Sequence, residues 1–425
     1  MMTNPFLTAL DSRAAVKGSR DPLGIQQIWT RLGRHIVGNL TTVSDSTRDF
    51  TVTLLGHHFA SVLAEQDPGT ELATFIKWEQ LAAYARGVVN GDWAFRGTER
   101  VRKNLSESSK VMISDEPGHQ ILGSQKIYGL WGLYTVPARS SGWLEGSPAR
   151  LTLEARSFLE AAHLPPLKGH VGQVLGILST RSRIEPNGRH RSLLEAIAKV
   201  LRRPVRTAER PFYRDHLLYG GPADDTAGRQ RQMVQLLEPD LDDPDFGWSA
   251  TILRAYAKEA RLRPWPELAE RLDRIRVCES VVAPVSMAFS YMLTLDGRPL
   301  RGFADDLRRT WGARLRTADA PSFAVLRDEI GREDPTIGKR WVSIAESVGT
   351  GEYDHLAKLL IDQNRSVMSA RGGTSWIEVR NGKVRVRFRD EQGRLPARDE
   401  LPSLWRFPYF LESLRRIASQ LRARP

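Results

Sequence analysis

Residues 375–391, SWIEVRNGKVRVRFRDE, space five cations so that a two-stranded ribbon would gather them on one face. Asn381-Gly382 is the preferred pair for a two-residue type I′ turn, which needs positive φ at both positions. With that turn Arg380 lies opposite Lys383, Val379 opposite Val384, Glu378 opposite Arg385, Ile377 opposite Val386 and Trp376 opposite Arg387. Side chains alternate along a strand, so Ile377, Val379, Val384, Val386 and Phe388 share a face that can pack on a core. The other face carries Trp376, Arg380, Lys383, Arg385, Arg387 and Arg389, relieved by Glu378. Like charges set opposite one another cost a few tenths of a kcal/mol per pair, and phosphate, held through charge-assisted hydrogen bonds, would offset that repulsion. A charged edge that blocks strand-to-strand association produces the same pattern.

Two further groups fit phosphate chemistry. In DQNRSVMSARGGTSWIEV, Arg365 and Arg371 lie on or just beyond one helix end, next to Gly372-Gly373 and Trp376. They read either as a nucleic-acid grip with a stacking indole or as a helix cap before a hairpin whose tryptophan packs on Arg387. The stretch STRSRIEPNGRHRSLLEAIAKVLRRPVRTAERPFYR adds Arg181, Arg183, Arg189, Arg191, Arg202 and Arg203 as candidate backbone contacts. Such composition also suits a solvent-exposed linker.

Other chemistries find less support. GREDPTIGKR has the wrong glycine spacing for a phosphate-binding loop and Arg340 where a magnesium-holding hydroxyl belongs. There is no G-x-S-x-G and no zinc-spaced Cys/His cluster. His57 and His58 are adjacent, so on a helix they point about 100° apart. His190 is expected to add a donor to the basic segment, while His216 and His355 fit packed or surface roles. The acids of residues 238–245 lack the EF-hand positions. A metal nuclease would draw on Asp305, Asp306, Asp328, Glu329, Glu333, Asp334 and Lys339, although nothing in their spacing requires it. No catalytic residue, metal ligand or cofactor is assigned.

The 425 residues carry a formal charge of +12, concentrated in two places. Residues 364–425 hold fourteen Arg/Lys against six Asp/Glu, and residues 181–214 hold ten against three, so the remainder is slightly acidic. Clustering of this kind is an electrostatic footprint of nucleic-acid binding, or of a docking face for an acidic protein. With 41% apolar residues the chain can bury a core. The longest apolar stretch, VVAPVSMAFSYMLTL, is too short to span a bilayer. The N-terminus lacks the order of a secretory signal, and a single cysteine, Cys278, fits a buried structural thiol. These features point to a cytoplasmic, prokaryotic protein with no membrane partner.

The elements that must position these residues are mostly helical. Apolar residues recur at three-to-four spacing in RDFTVTLLGHHFASVLAEQ and ELATFIKWEQLAAYARGVV, and DPGT separates the two as a turn. Pro284 is expected to kink or split the helix that Pro266 begins. The final helix carries Phe410, Leu414, Ile417 and Leu421 on one stripe and Arg415, Arg416 and Arg422 elsewhere. The predicted class is mainly α (α+β), with a C-terminal β-hairpin followed by a helix. Three regions are expected: a helical domain over 1–164, a basic, loop-rich connection over 165–247, and a helical domain over 248–425.

Residues 121–162 resemble a winged helix-turn-helix. A helix over 125–134 precedes Gly142-Trp143-Leu144, a polar turn at 145–147, a second strand ending at Leu151, and a helix that Thr152 caps. The would-be reading helix offers Lys126 among Ile127, Leu130, Trp131 and Leu133, too apolar to read base edges. A protein-contact role is the expectation for this element.

GLWGLYTVPARSSGWL followed by LTLEARSFLE is similar to uncharacterised bacterial proteins of anti-phage defence loci, over about a third of the chain. That resemblance implies a non-enzymatic subunit working beside a nuclease or ATPase. The functional expectation is a nucleic-acid-associated accessory or scaffold subunit that contacts phosphates without reading sequence, with DNA favoured over RNA and protein partners besides. The alternatives are a module docking an acidic partner and a cryptic metal nuclease.

Overall fold

The computed structural model describes residues 21–224, 228–390 and 392–422. Helices dominate them, and the strands form two-stranded antiparallel pairs. The architecture is mainly α. No described helix is long and apolar enough to cross a membrane.

The described residues fall into two compact units, each made of separate stretches: 21–35 with 244–409, and 36–243 with 410–422. Of the expected boundaries, the one at 247/248 lies near an observed break, whereas residue 164 lies inside a unit. Amphipathic terminal helices account for the exchange. Ile25–Arg34 buries Ile28, Trp29 and Leu32 and packs on the long helix Pro266–Met292. Leu411–Leu421 buries Leu414, Ile417 and Leu421 and packs near Arg229–Leu237.

The 36–243 unit is built around the antiparallel helices Thr47–Ala64 and Glu71–Asn90. Ser46 caps the first, its hydroxyl accepting from the Asp49 N–H at 3.2 Å. Both helices are buried almost all round, polar positions included, so their buried charges must be paired. The winged-helix-like stretch forms its two short strands, Leu144–Glu145 and Arg150–Leu151, and the Thr152 cap onto Leu153–Ala162. Its leading helix, expected unbroken over 125–134, is split into Gln125–Tyr128 and Leu130–Ser140. At the split, Glu79 accepts from the Leu130 N–H at 2.8 Å and from Gln125 Nε2 at 2.7 Å. A side chain at Gly129 would collide with both Glu79 and the Gln125 carbonyl.

Burial pushes the Glu79 carboxyl up to about 7, against the pull of those donors. Because the folded chain holds that proton more tightly than the unfolded one, the stabilisation is complete below pH 4.5 and is lost as pH rises through about 7. The wild-type advantage over Glu79→Gln is expected to shrink by up to about 3 kcal/mol between pH 4.5 and 8, read by urea unfolding. A constant difference across that range would refute it.

Part of the 181–214 stretch expected as a linker is ordered. Ser182–Ile184 pairs antiparallel with Val111–Ile113, and Arg191–Val200 packs on Glu71–Asn90.

In the other unit Pro266–Met292 runs as one helix, with Pro284 inside it and no split. Cys278 lies buried on it, and burial pushes its thiol up. The C-terminal hairpin has the predicted register, Ile377 opposite Val386, Glu378 opposite Arg385, Val379 opposite Val384 and Arg380 opposite Lys383. Asn381 and Gly382 take φ of 53° and 71°, the positive pair that a type I′ turn needs. Ile377 and Val384 are fully buried, but Val379 near the tip is 38% exposed. The Lys383–Val386 edge is covered: Val384 exchanges bonds with Gly297 and Arg298 at 2.9 and 2.8 Å, and the Val386 N–H reaches Asp296 at 3.1 Å. Nothing lies within 4 Å of a side chain built at Gly382. Gly382→Ala should therefore cost about 1–2 kcal/mol through backbone conformation alone, seen as a lowered melting temperature and faster amide exchange in the hairpin. An unchanged melt would contradict it.

Candidate polyanion groove

The hairpin cations are largely met by the protein's own acids. Glu378 receives Arg387 at 2.5 Å and Arg380 at 3.1 Å. Although burial pushes Glu378 up, these guanidiniums hold it below the usual carboxylate range. Arg389 meets Asp296 at 2.7 Å; the Val386 N–H first, then Arg389, hold that acid low. Among the described residues no ion pair is made by Lys383 or Arg385. Five cations facing two acids leave a weaker excess than the sequence implied.

The expected grip is not assembled. Arg371 turns to Asp21, bonding its carbonyl at 2.8 Å and its carboxylate at 3.1 Å, and Arg365 pairs with Asp362 at 2.9 Å. The Trp376 ring packs against Phe388, with centroids 5.2 Å apart. Asn364, fully buried, ties the helix to the hairpin by accepting from the Ser375 hydroxyl and the Trp376 N–H, each at 2.8 Å. It is a structural residue that the charge pattern did not single out.

The second basic stretch is divided. Arg181 pairs with Glu116 at 2.9 Å and Arg191 with Glu195 at 2.8 Å. Arg183 sits on the paired strand, and Arg189 donates to its carbonyl at 3.4 Å. His190 accepts the Glu185 N–H through Nδ1 at 3.0 Å, which leaves its Nε2 as the donor. The ten-residue helix Arg191–Val200, about 15 Å long, then carries the chain to Arg202 and Arg203, which enter a different setting.

There the 36–243 unit has a groove of about 720 Å³ lined by Arg48, Arg203, Arg210, Arg416 and Arg422, with Asp45, Asp49 and Ala94. Ala94 and Arg203 also line an adjoining hollow of about 440 Å³ that adds Arg202, Asp92 and Trp93. Trp93 carries the Arg102 guanidinium 4.7 Å from its ring centroid. The acids in this wall are occupied. Buried Arg86 holds Asp49 at 2.5 Å and Asp92 at 2.9 Å. Burial opposes its charge, yet the two carboxylates raise the Arg86 pKa above its ordinary value. Asp45 meets Arg416 at 2.6 Å.

The cations are less occupied. Among the described residues Arg202 and Arg210 make no ion pair, and the Arg210 Nε is buried without an acceptor. Arg203 reaches Asp92 only at 3.4 Å, behind Arg86. Arg422 pairs with Asp242, itself 77% exposed, and such surface pairs contribute about 0–1 kcal/mol. Arg48 is the exception: it lies buried against Glu209 at 2.9 Å, and although burial pushes Glu209 up, Arg48 holds it low. Arg416 is shared with Asp45 and with Glu412, at 2.9 Å, whereas Arg86 counters Asp49 and Asp92, and a concave wall with this excess of arginine can accept the phosphates of a polyanion and release them to salt. Arg210, Arg416 and Arg422 join Arg202 and Arg203 here. The unusual density of arginine on the final helix was the legible sign of two of them.

The acids weighed for a nuclease have other work. Asp306 accepts from Tyr291 at 2.6 Å, Glu329 receives Arg274 at 2.8 Å and His35 at 2.9 Å, Glu333 receives Arg31 at 3.0 Å, and Asp334 caps Pro335–Thr350. No group of three or more metal-ligating side chains occurs among the described residues. Comparison of the chain with protein-family models, curated proteins and solved structures finds no match.

Proposed function

We propose that the protein is a non-catalytic, nucleic-acid-associated accessory or scaffold subunit that grips the sugar–phosphate backbone without reading sequence. The observation that carries this reading is the groove in which Arg202 and Arg210 lack a counter-ion beside Arg203, Arg416 and Arg422. DNA is favoured over RNA, as in the sequence reading, and the hairpin is a secondary contact because Glu378 and Asp296 offset it. An anti-phage setting beside a nuclease or ATPase is supported by the sequence resemblance alone.

Fluorescence anisotropy with duplex and single-stranded probes, titrated across salt, tests the reading. Three to five phosphate contacts give a slope of log K on log salt of about −3 to −4.5 on duplex. Absent binding at low salt, or binding indifferent to salt, would remove the proposal.

A second reading is favoured by one observation. Ile127, Tyr128, Val136 and Leu153 are 57%, 51%, 63% and 78% exposed, all within or next to the winged-helix-like stretch. Such exposed apolar side chains suit a protein contact. Co-purification of a partner that survives nuclease treatment and is lost on Val136→Glu would support it; retention by the variant would not.

A further inference from the structure

The unit formed by 21–35 and 244–409 has its own concavity, about 710 Å³, beside the hairpin. Trp29, Phe289, Trp376 and Phe407 contribute aromatic walls, and Arg389 and Arg406 contribute guanidiniums. Trp29 and Phe289 are buried, whereas Trp376 and Phe407 are half-buried.

Arg406 is held in an unusual way. Its Nε donates to the Ser286 hydroxyl at 3.0 Å, and Nη1 lies 2.8 Å from the Met287 sulfur. Among the described residues its guanidinium makes no ion pair, although its charge acts on the buried Glu279, which also accepts the Arg406 N–H. Arg389 uses one edge on Asp296, and a guanidinium has five donors, so others remain. Of the two acids lining the hollow, Asp21 is occupied, capping Ile25 at 2.7 Å and Gln26 at 3.1 Å and receiving Arg371. Asp390 accepts from the Gln392 N–H at 3.1 Å and has lone pairs to spare.

Flat apolar walls, two positioned cations and one carboxylate acceptor match a particular chemistry. A heteroaromatic base stacks on the rings, its exocyclic amine faces a carboxylate, and its phosphate meets arginine. We propose that this pocket binds a single nucleotide, with the base against Trp376 and Phe407, the phosphate between Arg389 and Arg406, and an exocyclic amine on Asp390. The nucleotide is either free or the unstacked end of a strand. None of these residues belongs to the arginine groove, so the two assignments stand or fall separately.

Isothermal titration calorimetry of the full chain with AMP, CMP, GMP and UMP is the test, with adenosine, ribose 5-phosphate and a 5′-phosphorylated tetranucleotide alongside. At least one of AMP, CMP and GMP, whose bases carry an exocyclic amine, should bind saturably and more tightly than UMP, and adenosine and ribose 5-phosphate should each bind at least about tenfold more weakly. Arg406→Met should weaken the monophosphate about tenfold and leave adenosine unchanged, a split that a folding defect would not give. Trp376→Leu should weaken it about tenfold, while Trp376→Phe restores it. Reversing Arg203, Arg210 and Arg422 should leave it untouched. A tetranucleotide that binds more than tenfold tighter, and loses that gain in Arg406→Met, identifies the strand end; otherwise the free nucleotide is the ligand. No saturable binding of any of the four monophosphates at millimolar concentration, or wild-type binding by both Arg406→Met and Trp376→Leu, would overturn the assignment.

Discussion

Replacing Arg86 by Met is expected to lower the unfolding free energy of the 36–243 unit by about 3–5 kcal/mol, the usual cost of removing one member of a buried ionic set. The guanidinium is 2% exposed and lies between Asp49 and Asp92, which are 11% and 10% exposed. It also donates to the Ala94 carbonyl at 3.2 Å and stands over the Phe95 ring at 5.3 Å. Without it two nearly buried carboxylates face each other across one site, and the one remaining ion pair there is Arg203 with Asp92, at 3.4 Å. Adding Asp49→Asn should recover part of the loss, since one of the orphaned charges disappears. Urea unfolding of the single and double variants reads both numbers. A loss below about 1 kcal/mol would show that water reaches the site and that the triad is not sealed.

The largest functional effect is expected from reversing Arg203, Arg210 and Arg422 to Glu together. All three line the groove, and none is the sole partner of a buried acid. Each lost phosphate contact removes about 0.9 from the salt slope on duplex, and each new carboxylate repels the backbone. Affinity for duplex should fall at least about 100-fold near physiological salt, with the melting temperature little changed. The matching reversal on the hairpin, at Arg385, Arg387 and Arg389, should cost less, because Glu378 and Asp296 already offset two of those charges. A hairpin variant that loses as much as the groove variant would invert this ranking and return the main contact to the ribbon.

Local rules made much of the fold legible. The Asn381-Gly382 pair set the hairpin register, because turn geometry fixes which residues face each other. Thr152 marked a helix start, and the hydrophobic spacing marked Thr47–Ala64 and Glu71–Asn90. What sequence could not show was where charge goes once the chain folds. Arg387 and Glu378 lie nine positions apart, and Arg389 and Asp296 lie ninety-three apart, so the second neutralisation depends on tertiary placement. The groove was hidden for the same reason. Its arginines come from position 48, from residues 202–210 and from 416–422; the two basic stretches were visible as charge, but that they meet in one wall was not. The break at Gly129 escaped because a buried carboxylate from a distant helix, Glu79, takes the N–H that starts the next helix.

The interleaving of the two units has a consequence for biosynthesis. Residues 36–243 leave the ribosome well before Leu411–Leu421, yet that helix belongs to their unit and brings Arg416 and Arg422 to the groove wall. A nascent chain halted near residue 409 therefore presents an open apolar seat where Leu414, Ile417 and Leu421 should lie.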